Sequence, residues 1–447
     1  MSNQKIDFTD LVLLIGTNPL PNYAVAKYFL ENNSKLQRIW LIYSEKTKFY
    51  AGTGQYAEDI EKVIKEELGE EKVSYIKRSL PDISQAPEII KRVKNIFSNE
   101  QAQIKAVHLN YTGGTKAMSV HIYRAIEGIF GDRFSASYLD ARDYHIKFDN
   151  NPDIITGDLR NIIQLEMSGL FSLHDSEIKH LEKVYIESID EKYKSEIMKS
   201  LADLANKNKL LDLRNWFTAA NQGGLFKEGK KDKNLIDKTM AKFNLHSYPE
   251  LLEYLSQFPA NDSFCDKEGN WLYNNFDKNV NSNLLKTFND GGWLEAYVAW
   301  VLKQKTGGEN DVITNVNLKT KKRDRDIHNY EKKDKGSERF EIDVLVKNGY
   351  QICGISCGTS MKYKNGQEIL SNTLKSKGFE VILRSAQIGG EEARSVLVTL
   401  LNPQRAKNLE NDLKASTGAG QDKFIVLGRN DLPVEKMWEK LKKHIYK

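Results

Sequence analysis

The sequence predicts an α/β protein: a doubly wound parallel sheet, then a helical connector, then a second α/β unit. Three observations carry this. Short apolar runs alternate with helical patterns up to about Asp149, as strands buried on both faces of a parallel sheet require. From about Asp158 to Asp290 the chain has no convincing strand and places many Lys and Glu residues at helical spacing. Beyond Gly291 a helical pattern is followed by two strand patterns joined at Asn348-Gly349, a strong hairpin signal. The expected boundaries are 1–155, 156–288 and 289–447.

The elements follow in order. Leu11–Ile15 is an uninterrupted apolar run, so it reads as a central strand. It ends in Gly16-Thr17-Asn18-Pro19-Leu20-Pro21-Asn22, after which Tyr23–Glu31 reads as a helix. Further strands are expected at Arg38–Tyr43, Lys72–Ile76, Ile104–Leu109 and Phe134–Leu139, with helices at Tyr56–Leu68, Ala86–Phe97 and Lys116–Ile129. Tyr144–Phe148 would extend or close that sheet.

Between strand Ile104–Leu109 and its following helix stands Asn110-Tyr111-Thr112-Gly113-Gly114-Thr115-Lys116-Ala117-Met118. A strand, a Gly-rich turn and a helix N-terminus converge backbone N–H groups on a phosphate. Gly113 and Gly114 permit close backbone approach, Thr112 and Thr115 offer hydroxyls, and Lys116 offers a cation. The spacing fits neither the Walker A pattern nor the dinucleotide fingerprint. Without a ligand, the same residues make a tight turn. Ligands in open α/β sheets bind beyond the carboxyl ends of strands, so the turn after Leu11–Ile15 would line the same site.

Composition sets the outer limits. The chain has 447 residues, 40% hydrophobic and 28% charged, enough for two or three domains. No apolar run suits a membrane span and the first residues lack a signal-peptide core, so a cytoplasmic protein without a membrane partner is expected. Cys265, Cys353 and Cys357 make neither a disulfide scaffold nor a zinc set. A formal charge of +5 permits a nucleic-acid partner without arguing for one. The basic clusters Lys319–Arg325 and Lys332–Lys335 read as solvated loops, and His174 and His180 as packed or surface residues.

In the last third, Glu295 shares a helix face with Val298, Ala299 and Leu302, which points a carboxylate inward. A buried carboxylate needs a partner or a metal. In Phe340–Val346 the alternation puts Glu341, Asp343 and Leu345 on one strand face, and the next strand runs Tyr350–Cys357.

"LIGTNPLPN" followed by "NYTGGTKAM" resembles the CARF domain (CRISPR-associated Rossmann fold), which senses cyclic oligoadenylates. "GGWLE" at Gly291–Glu295, "EIDVL" at Glu341–Leu345 and "QIGGEEARSVLV" at Gln387–Val398 resemble the restriction-endonuclease-like PD-(D/E)XK core of CARF nucleases. Leu165–His174 is similar to a segment that often follows the sensor there. The resemblance implies a cyclic-oligoadenylate-activated effector of type III CRISPR defence that cleaves RNA or DNA with Mg²⁺ or Mn²⁺. It implies a homodimer sharing one ring, with cyclic tetra-adenylate favoured. Thr17, Asn18, Asn22, Thr112, Gly113, Gly114, Thr115, Lys116 and Met118 would bind the ring, with Thr17, Asn18 and Asn22 facing bases or ribose. Glu295, Asp343 and the Cys357 carbonyl would hold the metal, with Ser356 and Lys362 completing the catalytic set.

One departure is plain. Where the family carries Glu-Cys-Lys, this chain has Ser356-Cys357-Gly358. Three readings therefore stand: a nuclease with a rearranged site, a nuclease fold that has lost catalysis and acts as a ligand-regulated binding module, and a small-molecule enzyme binding a nucleotide cofactor at the Gly-Gly turn. The helical connector is the expected transmitter between the two ends.

Overall fold

A computed structural model describes residues 7–48, 51–69, 73–174, 176–180, 191–222, 244–256, 263–272, 291–307, 311–320, 340–360, 362–364, 367–390, 392–418 and 422–446, with 234, 237–238 and 241 besides. The first sheet is made by β1 (Asp10–Leu14), β2 (Arg38–Ser44), β3 (Ser74–Leu80), β4 (Val107–Asn110), β5 (Phe134–Leu139) and β6 (Ile146–Phe148). Its order is β3-β2-β1-β4-β5-β6, parallel except for β6. The crossovers are α1 (Leu20–Asn32), α2 (Gly54–Leu68), α3 (Ala86–Phe97) and α4 (Lys116–Phe130). Strand order reverses between β1 and β4, which opens a crevice at their carboxyl ends.

Alternation within β1 builds two cores. Val12 and Leu14 face Ile89, Val93, Ile122 and Ile126 on one side. Leu11 and Leu13 face Ala24, Phe29, Ile60 and Val63 on the other. That second core does not stop at the first sheet. Val316, Ile342, Leu345, Tyr350, Ile352 and Ile388, all from the last third of the chain, belong to it.

After β6 come α5 (Leu159–Ile162), α6 (Met167–Leu173), β7 (Ser176–His180), α7 (Glu191–Asn206), α8 (Leu210–Gln222), α9 (Pro249–Ser256) and α10 (Gly292–Thr306). The chain continues through β8 (Val312–Thr320), β9 (Phe340–Asn348), β10 (Gln351–Gly358), β11 (Lys362–Lys364), β12 (Gln367–Ile369), α11 (Asn372–Gly389), β13 (Arg394–Thr399), α12 (Pro403–Thr417), β14 (Phe424–Leu427) and α13 (Val434–Ile445). The second sheet has the order β14-β13-β10-β9-β8-β7, with β10, β13 and β14 parallel and the rest antiparallel. β11 and β12 form a separate two-stranded ribbon.

The connector departs from expectation in two ways. β7 lies in the segment expected to hold no strand, at the edge of the second sheet. An edge strand is held by backbone pairing along one side and needs no apolar run to announce it. Met198, Leu201, Leu213, Trp216, Leu251 and Leu255 also share a core with Trp293, Val298, Val344 and Ile355. The helices are therefore part of the second unit's packing.

The two ends of the chain touch directly. The β9–β10 turn closes against the Arg160 carbonyl, where Gly349 leaves no room for a side chain. Arg160 is itself buried, pairs with Asp158 at 2.7 Å and lies 3.8 Å over the Tyr144 ring. Asn18 Nδ2 donates to Glu392 at 3.3 Å, with Gly390 packed on the Asn18 side chain. Among the described residues, no helix is long and apolar enough to cross a membrane.

Candidate functional site

At the carboxyl ends of β1 to β4 lies a cavity of about 830 Å³. The turn after β1 supplies Gly16 and Thr17, and the turn after β4 supplies Gly114 and Thr115, with Met118 behind them. These turns touch: a Cβ on Gly16 would stand 3.0 Å from the Gly114 amide nitrogen. Gly114 has φ +76°, a conformation costly for other residues. A methyl on Gly113 would overlap the Leu14 carbonyl and sit 2.6 Å from Asn22 Oδ1. The turn can close over β1 only as glycine.

Polar side chains around the turn are divided between building it and facing the cavity. Thr115 caps α4 by accepting from the Met118 amide at 3.2 Å, and its side lines the cavity. Thr112 donates to Asn110 Oδ1 and accepts from the Leu139 amide, both at 2.7 Å, so it fastens β4 to β5. Asn22, expected to face a base or ribose, is fully buried instead and donates to the Leu14 carbonyl at 3.0 Å. Its place beneath Gly113 makes it a strut of the turn. Asn18, given the same expected role, points toward Glu392. Lys116 is exposed at the first turn of α4, outside the residues that line the cavity.

The opposite wall was not visible in the sequence reading. Ser44, Glu45 and Thr53 come from the end of β2 and the start of α2, and Asp82 and Ser84 from beyond β3. Ser84 donates twice to Asp82 at 2.7 Å, which holds that carboxyl below its ordinary range. Amides, hydroxyls and a helix N-terminus thus stand on one side, and two carboxylates on the other. That division suits a ligand with phosphate at one end and amino or hydroxyl donors at the other.

The second candidate site lies on the second sheet. Glu295 and Asp343 are 8% and 5% exposed, so the Glu295 carboxylate is inward as expected, and Asp343 is buried while Glu341, expected on the same face, is exposed. Asp343 Oδ2 accepts from the Cys357 amide at 2.6 Å, the Ser356 hydroxyl at 3.0 Å and the Lys377 ammonium at 3.2 Å. Lys377 also donates to the Cys357 carbonyl at 2.7 Å. Burial would lower the Lys377 pKa, but the charges of Asp343 and Glu295 together with the hydrogen bond to Asp343 hold it above the ordinary value. Burial and the same two carboxylates push the Cys357 thiol far up.

Lys377 was missed because it comes from α11, not from the strand. Leu374, Gly378, Val381, Ser385 and Ile388 form the buried stripe of that helix, and Lys377 stands beside it. Gly358, at the position where the sequence resemblance leads one to expect a lysine, faces Leu374 so closely that a Cβ would overlap Leu374 Cδ2. Lys362 begins β11, and its side chain lies outside the described residues. The basic stretch 321–325 and Lys332–Lys335 also lie outside them.

The donors expected for a divalent ion do not fit it as they stand. Asp343 Oδ2 and the Cys357 carbonyl are both engaged by one ammonium, and Ser356 donates to Asp343. Among the described residues, no group of three or more His, Cys, Asp or Glu is arranged to hold a metal.

Residues 11–140 match the family model of the Card1 CARF domain. The CARF match spans β1 to β5 and includes both turns that floor the cavity. Among solved structures, protein VC1899 from Vibrio cholerae aligns over 97% of this chain and 98% of its own, with 13% identity and a TM-score of 0.62. Can2 from Sulfobacillus thermosulfidooxidans, solved in complex with cyclic tetra-adenylate, aligns over 96% of each chain with 14% identity and a TM-score of 0.57. At such identities these two show shared fold over nearly the whole length. No curated protein sequence matches the chain.

Proposed function

We propose that this chain is a cyclic-oligoadenylate sensor of the type III CRISPR ancillary class, with the second α/β unit as the module it controls. The observation that carries the reading is the cavity at the strand ends, floored by the glycine turns of a region matching the Card1 CARF domain. Phosphate belongs at Gly114, Thr115 and the α4 N-terminus. Glu45 and Asp82 would accept from ribose hydroxyls or adenine amino groups. Can2, which shares the fold, is a cyclic tetra-adenylate complex, and that ring is the first ligand to test.

The exposed positions of Thr115 and Lys116, with Val120 53% exposed one turn on, suit a ring shared across a two-fold axis by two copies. Lys116 would then reach the phosphates from outside the cavity of a single chain.

For the controlled module, one geometric observation favours a ligand-regulated binding role over metal-dependent cleavage of RNA or DNA. Lys377 already bridges the two oxygens that a Mg²⁺ or Mn²⁺ ion would need. Calorimetry with cyclic tetra- and hexa-adenylate tests the sensor, with ATP and NAD as controls. Binding of the mononucleotide or dinucleotide with no binding of either ring would return the reading to a cofactor enzyme. Labelled RNA and DNA, incubated with ring, Mg²⁺ and Mn²⁺, test the module. Retention without cleavage is expected, and cleavage lost in Asp343→Ala would restore the nuclease reading.

A further inference from the structure

We infer that the Lys377 ammonium takes the place of the divalent cation in the carboxylate site of the second sheet. This deepens the binding-module reading above and rests on it for its meaning, but its test needs neither ring nor nucleic acid.

The argument begins with the strand pair. β9 and β10 are antiparallel with Val344 opposite Ile355, which brings Asp343 beside Ser356 and Cys357. Asp343 thereby gains the Cys357 amide and the Ser356 hydroxyl. Two neutral donors on a carboxylate that is 5% exposed leave its charge uncompensated. Glu295 adds a second buried carboxylate whose charge also acts on Lys377 and Cys357. Such a cluster demands a cation.

The chain meets that demand covalently. α11 packs on β10 through Leu374, which fills the space in front of Gly358. One residue short of Gly378, Lys377 runs past the same strand end; a Cβ on Gly358 would lie 3.9 Å from its Cδ. Its ammonium reaches Asp343 Oδ2 and the Cys357 carbonyl. An ammonium has three donors and no open coordination position. A metal ion in the same place would keep waters that can be activated. The substitution therefore keeps the charge of the site and removes its means of making a nucleophile. The side chain is one-third exposed, so the positive end remains within reach of a phosphodiester.

Mn²⁺ binding to the full chain, read by calorimetry and by loss of the free-ion electron paramagnetic resonance signal, tests this. Wild type is expected to show no Mn²⁺ site sensitive to Asp343→Asn. Lys377→Met, which keeps the packing and removes the charge, is expected to gain one site, at least tenfold tighter than any wild-type binding. The double variant with Asp343→Asn should lose it. Stoichiometric Mn²⁺ binding by wild type that Asp343→Asn abolishes would overturn the inference. So would a folded Lys377→Met chain that gains nothing, because the ammonium would then not be what fills the site. Circular dichroism establishes folding. Should Lys377→Met not fold, Lys377→Gln is the second variant, and the wild-type comparison with Asp343→Asn decides on its own.

Discussion

Gly113 offers the sharpest test of how the cavity at the strand ends is built. A methyl there overlaps the Leu14 carbonyl and stands 2.6 Å from Asn22 Oδ1, and neither can yield cheaply. Leu14 belongs to a central strand paired on both sides, and Asn22 is wholly buried. Forcing extra volume into such packing costs roughly 1–3 kcal/mol. If Asn22 is pushed aside, its 3.0 Å bond to Leu14 is lost as well, at about 1 kcal/mol. Gly113→Ala should therefore destabilise the chain by roughly 2–4 kcal/mol. The control is Gly128, on the exposed side of α4, where a Cβ meets nothing within 4 Å. Gly128→Ala should stabilise by roughly 0.5–1 kcal/mol, since alanine loses less backbone entropy in a helix. Urea unfolding of the three proteins in parallel measures both shifts. Calorimetry on folded Gly113→Ala should show cyclic tetra-adenylate affinity reduced at least about tenfold, because the turn that floors the cavity has moved. A Gly113→Ala protein within about 0.5 kcal/mol of wild type would refute the steric argument.

Other outcomes follow from the same geometry. Lys116→Ala should weaken ring binding about tenfold without altering unfolding, and unchanged affinity by calorimetry would remove Lys116 from the site. Burial pushes His108 down to about 3 and His174 and His444 to about 4, so below about 6.5 the unfolded chain binds protons that the native chain refuses. Stability should fall as pH drops from about 6.5 toward 4, and a stability flat between pH 7.5 and 5 in urea titrations would contradict this. Gly358→Ala should destabilise by roughly 1–3 kcal/mol through collision with Leu374, and Leu374→Ala in the same chain should recover part of the loss. Restoring the family pattern with Ser356→Glu and Gly358→Lys therefore requires Leu374 to be reduced too.

The sequence disclosed what burial alone determines. β1 and β2 were legible because strands covered on both faces carry little but apolar residues. β3 was placed too early, at Lys72–Ile76 against the observed Ser74–Leu80, because it is an edge strand with only its last residue fully buried. β7 and β8 were not foreseen: β7 carries one apolar residue, and β8, although Asn315, Asn317 and Lys319 alternate with Val316 and Leu318, adjoins a charged run that reads as loop. In the sites, Glu295 was readable as a carboxylate on an inward helix face. Asn22 and Thr112 were not readable as struts: a short polar side chain beside a Gly-rich turn serves the backbone or a ligand equally well, and only the fold decides. Lys377 required knowing which helix crosses β10, a long-range fact that no local spacing contains.

Direct contact between the two ends changes where a signal must travel. The connector was expected to transmit because it joins the units covalently, yet its helices pack within the core of the second unit. Thr17 lines the cavity at the strand ends, and Asn18, the next residue, donates to Glu392 on the loop between α11 and β13. α11 carries Lys377 at its other end. A ligand that drew the Gly16–Thr17 turn inward would pull on the loop after α11, the helix bearing Lys377. For this to shift an equilibrium, the ring must bind one arrangement of that contact better than the other. Glu392→Ala should then leave the ring affinity within a few-fold of wild type while abolishing ring-induced change at Lys377. Amide hydrogen exchange over 372–390 reads that change, since opening of the α11 ends exposes its backbone. Ring-induced exchange that persists unchanged in Glu392→Ala would return the signal to the shared core around Tyr144, Tyr350 and Ile388.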